Sequence, residues 1–242
     1  MRWLTRLRLK RDVPAAALAR VLLPDDASER CQTAHRLLWT LFADDPERRR
    51  DFLWREERPG RGSSGRGGFL VLSEREPVDA HGLFDMDPPK VWAPVLVRGD
   101  RLAFSLRANP VVTRKDGDGR SKRHDVVMDR LREVAKEQRA ELRDAAMREA
   151  GRAWLDRQAS EHGFAVLVEQ DGETEENRPL LRIDGYEQLR MARRREKPAR
   201  LSVLEFDGVL EVREPDRFLS ALHRGLGKAK AWGCGLMLIR RA

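Results

Sequence analysis

The 242-residue sequence is poor in cysteine: Cys31 and Cys234 are the only two, and they lie far apart. Neither belongs to a Cys-x-x-Cys pair, which argues against a disulfide scaffold and a zinc site and fits a reducing cytoplasm. The histidines beyond His35 also lack the spacing of metal ligands. We therefore predict a protein that uses neither a metal nor a cofactor.

Long apolar runs are absent as well. No stretch approaches the roughly 18–20 apolar residues that a membrane-spanning helix requires. Residues 1–8 alternate charged and apolar side chains, unlike the unbroken apolar segment of a signal peptide. We expect a cytoplasmic protein that has no membrane partner.

Charge, by contrast, is abundant. Lys and Arg number 48 against 40 Asp and Glu, so the formal net charge is +8, and 36% of the residues are charged. A polyanion is the natural partner of such a surface, with nucleic acid ahead of an anionic membrane. Charge alone leaves open the alternative of a basic protein that binds nothing specific.

Hydrophobic periodicity predicts a similar order of elements in the two halves of the chain. The first half is predicted to contain a strand at 3–9, a helix at 31–42 with Ser28 as a possible N-cap, strands at 52–54 and 69–72, and a weak element near 74–81. The second half is predicted to begin with a strand at 101–107, a basic loop at 114–123 and one or two helices at 126–160. Strands at 164–168 and 180–183 follow, and then a hairpin at 201–212 that turns at Asp207-Gly208. A helix from Pro215 and a strand at 235–239 complete this half.

Each half thus approximates strand, helix, two strands, helix, strand. This order describes a ferredoxin-like sandwich, in which helices cover one face of an antiparallel sheet. The predicted fold class is α+β, with two tandem ferredoxin-like domains of the RAMP or RRM type, at residues 1–97 and 98–242. The second helix of the first copy is the weakest element of this prediction.

His35 is the first candidate for chemistry. On a helix with about 100° per residue it falls at the border of the apolar stripe, and Gln32 falls on the same side. A border histidine can expose part of its ring while its backbone is held rigidly, as a general acid or base requires. The alternative is a structural or surface histidine.

The segment at residues 225–235 is more specific. It holds four glycines and two lysines between a predicted helix and the last strand: Gly225, Gly227, Lys228, Lys230, Gly233 and Gly235. Successive backbone N–H groups can cradle a phosphate while lysine supplies charge. The pattern matches neither the dinucleotide nor the nucleoside-triphosphate loop motif, which disfavours a nucleotide enzyme. A tight structural turn is the alternative.

A basic run lies beside the predicted hairpin: Arg190, Arg193, Arg194, Arg195, Lys197 and Arg200. Such runs are often only solvated surface. A rigid ribbon can also present arginines to the backbone or groove of an RNA duplex.

Together these features resemble the CasE family, the pre-crRNA endoribonucleases of type I-E CRISPR systems. The resemblance spans nearly the whole chain. Its most specific elements are Arg107-Ala108-Asn109-Pro110 and the glycine pattern at 225–235, while His35-Arg36-Leu37-Leu38-Trp39 and Phe206-Asp207-Gly208 add to it.

The resemblance implies metal-independent cleavage of CRISPR repeat RNA at the base of its stem-loop, by attack of a 2′-hydroxyl on the adjacent phosphodiester. It implies that His35 transfers protons and that Arg36 contacts phosphate. It further implies that the glycine-rich segment contacts RNA backbone, with Lys228 and Lys230 as donors, and that Arg193, Arg194 and Arg195 meet the stem. The implied partners are the repeat RNA stem-loop and the other subunits of the type I-E Cascade complex.

One position departs from the family. Relatives often carry a tyrosine three residues before the histidine, whereas this chain has Gln32 there, and Tyr186 is its only tyrosine. Glutamine can orient a ribose or phosphate through hydrogen bonds, but it cannot transfer a proton. Two hypotheses follow: an active endoribonuclease in which Gln32 positions RNA, or a catalytically weak or inactive RNA-hairpin-binding subunit of the same ribonucleoprotein.

Overall fold

The computed structural model of the chain describes residues 1–10, 26–42, 47, 49–57, 68–170, 177–193 and 196–242, without the side chains of residues 170, 177 and 191–199. The chain forms two compact units. The first comprises Met1–Pro94, Leu189–Arg200 and Ala229–Leu236; the second comprises Val95–Gln188, Leu201–Lys228 and Met237–Ala242. A domain boundary between residues 97 and 98 stays a prediction.

The first unit is built on an antiparallel sheet. Its elements are β1 (Trp3–Leu9), α1 (Ala27–Trp39), β2 (Phe52–Glu56), β3 (Gly68–Ser73), β4 (Phe84–Met86) and β5 (Lys90–Val91). The strand order is β2-β3-β1-β4, and β5 also pairs with β1. The core forms between the sheet and α1, where Leu7, Ala34, Leu38, Phe69 and Val71 are all buried. Strand order and the position of α1 are those of a ferredoxin-like sheet.

The N-terminus of α1 differs from the prediction in its cap. Asp26, rather than Ser28, precedes the helix, and its carboxylate accepts a hydrogen bond from the Glu29 backbone N–H at 2.9 Å. Ser28 lies inside the first turn, where its buried hydroxyl accepts a hydrogen bond from the Arg190 backbone N–H at 3.0 Å. A carboxylate at this end of a helix is further stabilised by the helix dipole.

The weak element predicted near residues 74–81 is not a helix. All residues between β3 and β4 are described, and they form bends and turns. The Asp79 carboxylate accepts backbone N–H bonds from Leu83 at 3.0 Å and Phe84 at 2.8 Å. This local bonding competes with helix formation, and Pro77 has no N–H to donate.

The second unit repeats the sheet order. Its elements are β6 (Arg101–Ala108), β7 (Val111–Lys115), β8 (Ser121–Asp125), α2 (Val126–Arg130), α3 (Arg139–His162), β9 (Phe164–Val166), β10 (Val168–Gln170), β11 (Asn177–Pro179), β12 (Leu181–Arg193), β13 (Glu196–Val212), α4 (Pro215–Arg224) and β14 (Met237–Arg241). The order is β12-β13-β6-β14, β6 pairs antiparallel with β13 and with β14, and β9 joins β13. The region predicted as one or two helices forms two, α2 and α3.

The basic segment at 114–123 is a hairpin rather than a simple loop. Strands β7 and β8 pair antiparallel across it. The Asp116 carboxylate accepts backbone N–H bonds from Asp118 and Arg120, which closes the turn. Asp at the first position of such a turn is favoured because its side chain replaces a missing backbone partner.

The prediction of a hairpin that turns at Asp207-Gly208 is wrong. Strand β13 runs straight through these residues, which pair with Ser105 and Phe104 of β6. Gly208 is required for another reason, because a Cβ at this position would overlap the carbonyl oxygen of Leu180. Glycine here permits the close approach of another backbone, a role that glycine also has in strand interiors.

Replacing Gly208 by Ala should therefore destabilise the protein. An added Cβ forces the Leu180 segment away from β13, and overpacking of this kind typically costs about 1–3 kcal/mol. Thermal or urea unfolding monitored by circular dichroism measures the loss. Gly117→Ala is the matched control, since a Cβ at Gly117 meets no heavy atom within 4 Å. Equal stability of the two variants would contradict the close approach at Gly208.

Candidate active site

The imidazole of His35 lies in the first unit among three aromatic rings, which we call the aromatic cage: Trp39, Phe52 and Trp232. The ring centroids lie 6.3, 6.2 and 6.0 Å from that of His35, respectively. Helix α1 supplies Trp39, β2 supplies Phe52, and the 3-10 helix Lys230–Trp232 supplies the third ring. The position of His35 at the border of the apolar face of α1 leaves it half-buried. Rigid elements thus hold the imidazole on several sides.

Trp39 also determines where the imidazole carries its proton. It lies one turn after His35 on α1, and its Nε1–H donates to His35 Nε2 at 3.2 Å. An indole N–H can only donate, so Nε2 is the unprotonated nitrogen and the ring proton of neutral His35 lies on Nδ1. This hydrogen bond is lost when the imidazole is protonated, and it therefore favours the neutral form.

The surroundings lower the pKa of His35 to about 4. Burial is the main cause, because it disfavours the charged imidazolium, and the positive charges of Arg50 and then Arg36 add to it. The imidazole is consequently neutral at pH 7, in the form that can accept a proton.

The glycine-rich segment follows a path that only glycine adopts easily. Its four glycines all have positive φ, between 72° and 92°. In the first unit, a Cβ at Gly233 would lie 3.2 Å from the indole ring of Trp54. In the second unit, a Cβ at Gly227 would lie 3.0 Å from Cζ2 of Trp154. Close packing against tryptophan thus accounts for Gly227 and Gly233, and direct contact of the segment with phosphate stays a prediction.

The Arg107-Ala108-Asn109-Pro110 motif has a structural role in the second unit. The Arg107 guanidinium donates to Glu205 at 2.9 Å and to Glu187 at 3.3 Å, which ties the sheet together across one face. The Asn109 amide donates to the Ser202 carbonyl at 2.6 Å, and the Asn109 backbone forms a β-bridge with Lys228. The motif therefore anchors the first part of the glycine-rich segment.

The remaining predicted site residues fall in different settings. Gln32 is half-buried one turn before His35 on α1, and Arg36 beside it is exposed. Lys230 is half-buried in the first unit, whereas Lys228 is exposed in the second.

The basic run is described only in part. Arg190 and Arg200 are exposed on β12 and β13. Arg193 and Lys197 lie on the same two strands, with side chains outside the described atoms, and Arg194 and Arg195 lie outside the described residues. Contact between this run and RNA stays a prediction.

Sequence reasoning missed Trp39, Trp232 and Arg50 around His35. The spacing of four residues between His35 and Trp39 on one helix face would have indicated the first of these contacts. The other two residues come from distant parts of the chain, and no local pattern marks them.

Two further observations concern the described part of the chain. No group of three or more His, Cys, Asp or Glu side chains there is arranged to hold a metal ion. No helix there is long and apolar enough to cross a membrane.

The sequence matches known proteins along nearly its whole length. Residues 2–241 match the family model described as "CRISPR associated protein". The chain is 32% identical to the CRISPR-associated endoribonuclease Cse3 of Thermus thermophilus, over 98% of this chain and 99% of the relative. It is 28% identical to the CRISPR system Cascade subunit CasE of Escherichia coli, over 91% of this chain and 96% of that protein.

A solved structure agrees with the sequence matches. Thermus thermophilus Cse3 bound to an RNA representing a pre-cleavage complex aligns with a TM-score of 0.68 and 30% identity, covering 99% of this chain and 98% of that one. The likeness and the two sheet orders confirm the predicted α+β fold with two ferredoxin-like domains. The chain therefore belongs to the family of CRISPR-associated endoribonucleases that includes Cse3 and CasE.

Proposed function

We propose that this protein cleaves CRISPR repeat RNA at the base of its stem-loop and then retains the mature crRNA as a subunit of the type I-E Cascade complex in the cytoplasm. The activity is supported by 32% identity over 98% of the chain to an endoribonuclease. The observation that carries the mechanism is His35, held neutral in its aromatic cage by burial and by the Trp39 N–H.

The proposed reaction is an internal transesterification. The ribose 2′-oxygen loses its proton and forms a bond to phosphorus, while the bond from phosphorus to the 5′-oxygen breaks. The leaving oxygen takes up a proton, which gives a 2′,3′-cyclic phosphate and a 5′-hydroxyl. Such a reaction needs a base, an acid and positive donors near the phosphate, and it consumes no cofactor.

His35 is assigned the role of general base. At neutral pH its imidazole is uncharged, so Nε2 has a lone pair for the 2′-hydroxyl proton once the RNA hydroxyl replaces the Trp39 N–H. That exchange is inexpensive, because a neutral hydrogen bond contributes only about 0.5–1.5 kcal/mol net. Arg36 is assigned to the phosphate and Gln32 to orientation of the RNA. In this assignment both act on substrate binding, since neither side chain can exchange a proton at neutral pH.

RNA binding away from the cut is assigned to the basic hairpin and the glycine-rich segment. Arg193, Arg194, Arg195 and Lys197 are proposed to contact the stem, because a ribbon of arginines suits the phosphates and minor groove of A-form RNA. Lys228 and Lys230, with Gly225, Gly227, Gly233 and Gly235, are proposed to follow the RNA backbone.

A second candidate is an RNA-hairpin-binding subunit with weak or no catalysis. Gln32 favours it, since glutamine cannot transfer a proton. Tyr186, the only tyrosine of the chain, is not near His35 in sequence, and it donates its hydroxyl proton to Asp125 within the second unit. Burial and this bond to Asp125 raise the pKa of Tyr186 far above neutrality.

His35→Ala should slow cleavage of repeat RNA by about 10²–10⁴-fold, the usual contribution of a positioned general base. The assay is a single-turnover reaction in EDTA with end-labelled repeat RNA, followed by gel analysis. We expect one cut at the 3′ base of the stem, abolished when the ribose at the cut is 2′-deoxy. His81→Ala is the control, because His81 is an exposed histidine of the same unit. Full activity of His35→Ala, or a requirement for Mg²⁺, would exclude the mechanism; binding without cleavage by the unaltered protein would establish the second candidate.

The pH dependence of cleavage should follow the lowered pKa of His35. The second-order single-turnover rate constant reports the free protein, so with a base whose pKa is about 4 it should be level between about pH 6 and pH 8 and fall in more acidic solution. Trp39→Phe removes the N–H that stabilises the neutral ring, which should raise the pKa and move the acidic limb to higher pH.

An NMR titration of the His35 imidazole in the free protein measures its pKa directly, both in the unaltered protein and in Trp39→Phe. Trp3→Phe is the control, because it removes an indole elsewhere in the protein. A rate that falls about tenfold per pH unit above neutrality would instead show that the protonated imidazole acts as an acid.

Replacing Arg193, Arg194 and Arg195 by Ala should weaken hairpin binding and reduce its salt dependence. The slope of log K against log[salt] is negative, and each lost phosphate contact reduces its magnitude by about 0.7–0.9. Filter binding of uncleavable RNA over a range of KCl concentrations measures the slope. The control replaces three exposed arginines of α3, Arg143, Arg148 and Arg157, which removes the same charge. Equal slopes for the two triple variants would refute the assignment to the basic run.

A further inference from the structure

Arg50 is a half-buried arginine two residues before Phe52, whose ring contributes to the aromatic cage. Its Nη1 atom is fully buried and has no hydrogen-bond partner among the described residues. The adjacent acid does not neutralise it, since the Asp51 carboxylate accepts hydrogen bonds from Arg75 at 2.7 and 3.4 Å. Arg50 is therefore a partly buried cation with one buried donor atom that has no partner among the described residues.

An arrangement of this kind costs stability. A buried donor without a partner loses its hydration and gains nothing in return, and the penalty is larger for a charged group. Burial also lowers the pKa of Arg50. Unpaired buried groups are rare in folded proteins, and a ligand that completes their hydrogen bonds is one explanation for retaining them.

The charge of Arg50 acts on His35 itself. It lowers the pKa of His35 more than the charge of Arg36 does, although Arg36 is the next residue in the chain. Charge interactions weaken with distance and with exposure to water, so the guanidinium lies close enough to the imidazole for its charge to act there. Arg50 thus lies in the first unit, two residues before a ring of the aromatic cage, and its charge acts on His35.

We propose that Arg50 binds the phosphate at the scissile linkage of the RNA, an assignment that rests on the proposed function. The guanidinium is a planar fork that can give two parallel N–H bonds to two oxygens of a phosphate. A phosphate at this position completes the hydrogen bonding of Nη1 and brings the reacting linkage beside His35. The same donors stabilise the additional negative charge that develops on the phosphorane during attack.

Binding of the phosphate has a consequence for His35. An anion between the two side chains offsets the positive field of Arg50, and a nearby negative charge favours the protonated imidazole. The pKa of His35 therefore rises when RNA binds, which makes the ring a stronger base in the complex than in the free protein. Arg50 in this way couples recognition of the linkage to the proton transfer.

The test compares two uncleavable repeat RNAs, both 2′-deoxy at the cut. One carries the ordinary phosphate at the scissile linkage, and the other carries an uncharged methylphosphonate. For the unaltered protein the methylphosphonate should weaken binding by about tenfold, the scale of a charge-assisted hydrogen bond, which corresponds to about 1.4 kcal/mol. For Arg50→Gln the same replacement should change binding by less than about twofold.

Arg49→Gln is the matched control, because Arg49 is exposed, adjacent in sequence and equal in charge. It should retain the full effect of the methylphosphonate. If Arg50→Gln also retains that effect, or if the unaltered protein shows none, Arg50 does not bind the linkage.

Thermal unfolding separates this role from a structural one. Because Arg50→Gln removes a partly buried charge whose Nη1 has no partner among the described residues, its melting temperature should equal or exceed that of the unaltered protein. A clear decrease would show that Arg50 supports the fold instead. Arg50→Lys, which keeps the charge without the fork, should recover part of the sensitivity to the methylphosphonate. No recovery combined with a lowered melting temperature would likewise overturn the proposal.

These measurements do not depend on catalysis. If ribose RNA is not cleaved but the methylphosphonate effect still requires Arg50, the proposed endonuclease function fails while the phosphate site stands. If cleavage occurs normally and the effect is independent of Arg50, only the phosphate site fails.

Discussion

The burial of an uncharged imidazole is the constraint on which the candidate site depends. His35 is half-buried among Trp39, Phe52 and Trp232, and these rings displace part of the water that would stabilise its charged form. The N–H of Trp39 reinforces the preference by occupying the lone pair of Nε2. Position, tautomer and protonation state of the ring therefore have a common origin in the packing of α1, β2 and the Lys230–Trp232 turn.

The glycine-rich segment contributes to this packing through its backbone. Positive φ at its four glycines, and the close approach of Gly233 to the Trp54 ring in the first unit, let the chain follow a path that a side chain would block. Ala229 adds strain, since it is the only non-glycine residue with positive φ among those described, and such a conformation costs about 1–2 kcal/mol. The Nη1 of Arg50, which has no partner in the described part of the chain, is a second local cost in the same unit. Strain and unmet hydrogen bonds that gather near one ring are typical of functional sites.

Several features could be predicted from sequence because they depend on local pattern. Alternation in β1, the apolar stripe of α1 and proline at the start of α4 each report the contacts that a short segment must make. The order and type of these elements were sufficient to predict the ferredoxin-like arrangement. Where local chemistry had two solutions, the prediction failed, as at the N-cap of α1, where Asp26 and Ser28 are both good caps and the structure uses the former.

The sequence by itself therefore determined the fold class, the family and His35 as the candidate for proton transfer, since periodicity and ordered motifs are properties of the chain. Tertiary structure alone decided what surrounds that histidine, because Arg50 and Trp232 reach it from distant segments. It also decided the conformation at Asp207-Gly208, which has the residues of a tight turn but continues a strand. The physical reason is the same in both cases: a local preference of a few kcal/mol or less yields to long-range packing and pairing that involve many more atoms.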